Sequence, residues 1–279
     1  MGNKISGRKL ADEMQLEMAA EVSAMTVKPG LVVIIVGENK ASQTYVRNKE
    51  RTAEKIGINS KIERLPETTT EEDLLSLIAQ YNQDEQFHGI LVQLPLPEHI
   101  DEQRVLLAID PDKDVDGFHP LNVGKLLTGQ PGLLPCTPYG IIKMLQASGV
   151  EMAGKQAVVV GRSNIVGKPM MHLLLREDAT VTVTHSKTVN LKEITRQADI
   201  LIVAIGRGHF IKADHIKPGA VVVDVGMNHT AEGKLIGDVE FETAQEVASL
   251  ITPVPGGVGP MTITMLMEQT ISNARKKDK

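Results

Sequence analysis

The sequence contains no tryptophan, and aromatic residues make up only 3% of its 279 positions. A core of that size must therefore be aliphatic, built from Ile, Leu, Val and Met. There is one cysteine, Cys136, so no disulfide can form within the chain, which fits a reducing, cytoplasmic compartment. Apolar runs such as residues 31–36 have strand length and fall far short of a membrane span. The first residues turn polar at once and lack the apolar core of a signal peptide. Gly2 and Ser6 fit the loose myristoylation pattern, but so short a motif carries little weight. Positive charge is not in excess: 30 Lys and Arg face 35 Asp and Glu, a net charge of −5. Bulk electrostatics thus disfavour a nucleic acid or an anionic membrane as partner. The eight histidines show no metal-ligand spacing, and no metal is expected. Asp112, Asp114, Asp116 and Gly117 imitate the start of a calcium loop, but Val123 stands where the bidentate Glu is required.

What is present is an ordinary globular composition, 42% apolar and 23% charged, at a length comfortable for two domains. Leu10, Met14, Met18 and Val22 recur every four residues and predict a helix over residues 8–25. Residues 31–36 form a continuous β-branched run, as expected of a strand buried on both faces. Ser42 is placed to cap a helix covering residues 45–56. A strand near 61–65, a helix near 71–81 capped by Thr70, and a strand over 89–94 follow. In the second half, strands are expected at 157–160, 180–185, 200–205, 220–225 and 250–252, with helical patterns between several of them. This alternation predicts an α/β protein with mostly parallel sheets. A Pro- and Gly-rich stretch over 111–138 marks the boundary. The expected domains are 1–118 and 138–261. A helix over 139–147 leads into the second, and a last helix begins near 262.

The sharpest motif is Gly161-Arg162-Ser163-Asn164-Ile165-Val166-Gly167-Lys168-Pro169, directly after a hydrophobic strand. Glycines let the backbone approach a pyrophosphate, and Pro169 suits the first turn of a helix whose N-terminus favours an anion. The spacing departs from Gly-x-Gly-x-x-Gly: Ser163 takes the second glycine position, and the last glycine is one place late. A nucleoside-triphosphate loop fits worse. Its glycine gap would be one residue shorter, and Pro169 stands where a hydroxyl must hold magnesium. The second half is therefore expected to be a Rossmann-type, dinucleotide-binding parallel sheet. The next strand runs into His185, Ser186, Lys187 and Thr188 rather than the acid that holds an NAD ribose. With Arg162 nearby in sequence, those residues suit a 2′-phosphate and favour NADP.

Three groups in the first half are polar without a packing reason. Tyr45 and Lys49 share one helix face. Gln93 lies at the C-terminal end of a buried strand, where ligands gather in open α/β sheets. Asp114 and Asp116 precede the domain junction, and a cleft between domains is the expected substrate site. Taken alone, Lys49 reads as a solvated lysine and Tyr45 as a packing residue, whereas an unpartnered Gln93 in a strand is costly. Cys136 has no evident base and reads as a packing residue.

The Tyr45–Lys49 segment, residues 92–97, 114–118 and 161–169, and the stretch 253–262 occur together and in order. On these motifs the chain resembles, over nearly its whole length, the bifunctional methylenetetrahydrofolate dehydrogenase/methenyltetrahydrofolate cyclohydrolase family. The resemblance implies NADP-linked oxidation of 5,10-methylenetetrahydrofolate, hydrolysis of the methenyl product to 10-formyltetrahydrofolate, and a homodimer. It also implies that the last helix, 262–279, packs back on the first domain. It implies catalytic roles for Lys49, Gln93 and Asp116. Lys49 exchanges protons, Gln93 orients it, Tyr45 stacks on the aminobenzoyl ring and Asp116 accepts from the pterin. Gly256, Gly257 and Pro260 are implied to close over substrate. Gly161, Arg162, Ser163, Ser186, Thr137 and Met227 are implied to contact the cofactor, Met227 standing where the family usually has Ile. Two alternatives stay open: a dehydrogenase without the hydrolytic step, and a non-catalytic dinucleotide sensor on the same fold.

Overall fold

The computed structural model describes residues 2–277, the side chains of Lys40 and Ala41 excepted. In chain order its elements are β1 Asn3–Lys4, α1 Gly7–Ala24, β2 Gly30–Val36, α2 Lys40–Ile56, β3 Asn59–Leu65, α3 Glu71–Gln83 and β4 Gly89–Val92. Next come α4 Glu102–Ala108, α5 Pro120–Leu127, α6 Cys136–Ala147, β5 Gln156–Val160, α7 Gly167–Arg176, β6 Thr180–Thr184, α8 Leu191–Thr195 and β7 Ile200–Val203. The chain ends with β8 Val221–Asp224, β9 Asn228–His229, β10 Leu235–Ile236, α9 Phe241–Val247, β11 Leu250–Ile251 and α10 Val258–Arg275. It divides into two compact units, Glu13–Cys136 with Ile263–Lys279, and Met1–Asp12 with Thr137–Thr262.

The first unit holds a three-stranded parallel sheet in the order β3-β2-β4. Every residue of the central strand β2 is buried, which is why its sequence is apolar without alternation. Val32, Ile34, Ile90 and Val92 pack with Leu74 and Ile78 of α3 and with Val105 of α4 into one aliphatic core. Thr70 caps α3, its hydroxyl accepting from Asp73 N at 3.1 Å. Ser42 is not a cap. α2 begins at Lys40, and the Asn39 Oδ1 accepts from Ser42 N at 3.1 Å, so the capping side chain lies three residues earlier. β4 stops at Val92, one residue before Gln93. α10 starts at Val258 rather than near 262. Its Gln269 and Asn273 hydrogen-bond backbone groups at Val115, Leu134, His88 and Asp112.

The other unit carries a six-stranded parallel sheet in the order β1-β11-β8-β7-β5-β6. The sequence reading places residues 3 and 4 in the first domain. Here they form β1, beside β11, and belong to this sheet. Chain order reverses between β5 and β7: β6 lies on one side of β5, and β7 and β8 on the other. Such a switch point opens a crevice at the C-terminal strand ends. No helix among the described residues is long and apolar enough to cross a membrane.

Candidate active site

On α2, residues 42, 46, 49, 53 and 56 form one buried stripe. Four of the five are Ser42, Val46, Ala53 and Ile56; the fifth is Lys49, only 7% exposed. A lysine in a core stripe needs a partner. Lys49 Nζ donates to Gln93 Oε1 at 3.0 Å, and Gln93 Nε2 in turn donates to Leu94 O at 2.7 Å. Gln93 is itself held in place because its N–H continues the ladder to Ile34 O at 2.8 Å. Burial pushes the Lys49 ammonium down from its ordinary pKa, while the nearby charge of Asp116 pulls it back up. Asp116 moves the opposite way: burial raises its carboxyl, and the charge of Lys49 lowers it. Tyr45, one turn before Lys49, is half-buried, and burial raises its phenol.

The loop between α4 and α5 is built to present Asp116. Asp114, 2% exposed, accepts from His119 N at 2.8 Å, Phe118 N at 3.3 Å and Asn122 Nδ2 at 2.9 Å, and burial pushes its pKa to about 6. Gly117 follows with a φ of 75°, and a Cβ there would lie 2.3 Å from the Leu134 carbonyl carbon. Only glycine fits, and the close approach packs the Asp116 loop against residues 134–135. Next in the chain is Cys136, 1% exposed, whose thiol donates to Val115 O at 3.1 Å. Burial raises its pKa well above the ordinary value, so it is a neutral thiol beside Lys49 and Asp116. Its place beside this pair was not foreseen from sequence.

In the other unit, Gly161 ends β5 at the switch point. Its φ is 129°, and a Cβ would lie 2.2 Å from Ala204 O at the end of β7. Ser163 Oγ accepts from Val166 N at 3.2 Å and Gly167 N at 3.4 Å, shaping the turn into α7, whose own N-cap makes no side-chain hydrogen bond. Arg162 and Ser163 are exposed. After β6, Thr188 and His185 close a turn through His185 N to Thr188 Oγ1 at 2.8 Å, leaving Ser186 and Lys187 exposed. Thr137 shares a hydrogen bond of 2.9 Å with Thr262. Met227 is 44% exposed, on a segment fastened by two acids. Asp224 accepts from Gly226 N, Asp238 N and Val239 N, each at 2.9 Å. Asp238 accepts from the N–H groups of Ile205, Gly206 and Arg207 at 2.7 to 3.0 Å and from Asn228 Nδ2 at 2.9 Å. An acid ending the apolar run 221–224 was the available sequence signal for this clamp. Gly256, Gly257 and Pro260 also belong to this unit, where Gly256 O accepts from Arg8 N at 2.9 Å.

The structure thus gathers Lys49, Gln93, Asp116 and Cys136 in one unit, and the glycine turn, Ser186 and Met227 at strand ends of the other. The glycine turn fits a dinucleotide by its close backbone approach at Gly161 and by the exposed Arg162 and Ser163 beside it.

Residues 5–116 match the catalytic domain of the tetrahydrofolate dehydrogenase/cyclohydrolase family, and residues 135–278 match its NAD(P)-binding domain. A "Bifunctional protein FolD" of Enterococcus faecalis is 65% identical over 99% of this chain and 100% of its own. The crystal structure of the bifunctional methylenetetrahydrofolate dehydrogenase/cyclohydrolase of Campylobacter jejuni superposes with a TM-score of 0.98 at 47% identity, covering 99% of this chain and 100% of that one. The Trypanosoma brucei dehydrogenase-cyclohydrolase, solved with NADP and an inhibitor, superposes with a TM-score of 0.95 at 41% identity, covering 99% and 98%.

Proposed function

This chain belongs to the tetrahydrofolate dehydrogenase/cyclohydrolase family, and we propose that it carries out both reactions of that name with NADP. It oxidises 5,10-methylenetetrahydrofolate to the methenyl cation and hydrolyses that cation to 10-formyltetrahydrofolate. The observation that carries this reading is the buried Lys49–Gln93 pair beside Asp116. A dehydrogenase alone has no evident use for it, because hydride transfer needs orientation rather than an acid or base. A sensor has no use for it either.

Hydrolysis adds water to the methenyl carbon and then breaks the bond from that carbon to N5. A proton must leave the attacking water, and one must reach the departing nitrogen. An amine whose pKa is lowered by burial can take the first and return it as the second. Gln93 Oε1 fixes the direction of the Lys49 Nζ. Asp116 offers two oxygens to the paired N–H donors of a pterin. Tyr45, one turn away on α2, offers its ring to the aminobenzoyl group.

Bound NADP supplies the hydride acceptor. Gly161, Arg162 and Ser163 would hold its phosphates and ribose, Ser186 its 2′-phosphate, and Met227 and Thr137 the neighbourhood of the nicotinamide. Gly256, Gly257 and Pro260 would complete the substrate contacts. We extend the proposal to a homodimer in the cytoplasm. The lone, buried thiol suits a reducing compartment, and β6 is an edge strand with exposed Thr180 and Thr182. The test is an absorbance assay with 5,10-methylenetetrahydrofolate, following reduced nicotinamide and the methenyl intermediate together. Reduction with NADP in preference to NAD, and little methenyl build-up, is expected. Methenyl that decays only at its uncatalysed rate would leave a dehydrogenase alone.

A further inference from the structure

One buried amide of α10 remains without a role in the reading above. Gln269 is 6% exposed. Its Oε1 accepts from Leu134 N at 2.7 Å, and its Nε2 donates to Leu134 O at 2.9 Å and to Val115 O at 2.7 Å. Cys136 Sγ lies 3.5 Å from the same nitrogen. Both amide protons and the amide oxygen are therefore used, and a flipped amide would set its oxygen against two carbonyls. Val115 precedes Asp116, and Leu134 stands two residues before Cys136. The partners are 154 and 135 residues away in sequence, so no local geometry duplicates the link.

We propose that Gln269 is a positioning residue for the folate site, holding the strand of backbone that carries Asp116 at a fixed distance from the one that carries Cys136. This rests on the assignment of Asp116 and Lys49 to the folate site. The amide clamps Val115 and Leu134 from one side, and the close approach of Gly117 to Leu134 and Pro135 closes the other. Asp116 thereby keeps its separation from Lys49. Asparagine, shorter by one methylene, does not span both carbonyls. Leucine is apolar, one bond shorter than glutamine, and makes none of its bonds. Glutamate keeps the acceptor to Leu134 N but sets a charge against the carbonyls of Val115 and Leu134.

The test measures both reactions in Gln269→Leu and Gln269→Glu. The expected result is a rise of about tenfold or more in KM for the folate substrate in oxidation and hydrolysis alike, corresponding to about one buried charge-positioning contact. KM for NADP should stay within about twofold. In Gln269→Leu, which adds no charge, the pH dependence of hydrolysis should also move: with Asp116 displaced, Lys49 loses a charge that raises its pKa, so the rising limb shifts to lower pH. A folate KM and pH limb like those of the parent would overturn the positioning role, and so would an equal rise in both KM values. If Gln269→Leu does not fold, Gln269→Glu decides. Absence of both activities in the parent protein, or normal hydrolysis by Lys49→Met, would instead overturn the assignment on which the proposal rests.

Discussion

Asp114→Asn should make the protein more stable at pH 8 and slightly less stable at pH 4. Asp114 is almost fully buried, with a pKa near 6 against an ordinary 3.8. A carboxyl whose folded pKa is raised is bound by its proton more tightly in the native state than in the unfolded one. Stability therefore falls as pH rises from the unfolded value through the folded one, and the loss is complete above about pH 6. That pKa difference amounts to about 3 kcal/mol. The amide copies the neutral acid in shape. Its oxygen, set where Oδ2 now lies, keeps the bonds from His119 N and Asn122 Nδ2 at 2.8 and 2.9 Å. Only the 3.3 Å bond from Phe118 N is given up, at about 1 kcal/mol. The variant should thus lose up to about 1 kcal/mol at pH 4 and gain about 2 kcal/mol at pH 8. Urea unfolding of both proteins across that range, followed by far-ultraviolet circular dichroism, reads the difference directly. A difference that does not change with pH would refute the buried, proton-holding character of Asp114.

Two further substitutions separate the chemistry of the two units. Lys49→Met should reduce hydrolysis of the methenyl substrate by about a thousandfold, in the range set by loss of an acid–base group, while NADP binding by calorimetry is unchanged. Gly161→Ala places a Cβ 2.2 Å from Ala204 O at a φ of 129°, so the ends of β5 and β7 must part. NADP affinity should fall about tenfold or more, with hydrolysis retained, as measured by cofactor fluorescence and by methenyl decay without cofactor.

The elements that were legible in the sequence are those with a repeated pattern. β2 announces itself by seven consecutive buried residues, and α3 by its Thr70 cap. The glycine turn at 161–167 is recognisable because the strand before it and the proline after it limit what the backbone can do. β1 was not legible, because two residues carry no periodicity and its partner β11 lies more than two hundred residues away. Ser42 misled because Asn39 and Ser42 are equally good capping types, and only the backbone decides between them. Gln93 was legible as a costly polar residue from its place in the strand, whereas its bond to Lys49 followed only from the family resemblance. Cys136 and Gln269 were invisible as site residues, since each acts through backbone carbonyls far along the chain. A signal for Lys49 did exist in the α2 pattern: Val46, Ala53 and Ile56 define a buried stripe, and Lys49 falls on it.

Burial explains why these particular ionisable groups occur together. It drives Lys49 towards the neutral amine and Asp114, Asp116 and Cys136 towards their neutral acids, so each moves away from its charged form. Attraction between Lys49 and Asp116 works against that drift in both partners. The balance matters for the two tasks assigned to the site. A fully charged lysine could not take a proton from water, and a fully neutral aspartic acid could not accept two hydrogen bonds from a pterin. Lys49 lies on one buried stripe of α2 with Val46, Ala53 and Ile56, where burial is strong enough to oppose the charge pair. A solvated Lys49–Asp116 pair would remain fully ionised near neutral pH and would serve substrate binding without hydrolysis. The depth of the site, and not the mere presence of the lysine, is what would distinguish a cyclohydrolase from a dehydrogenase on this fold.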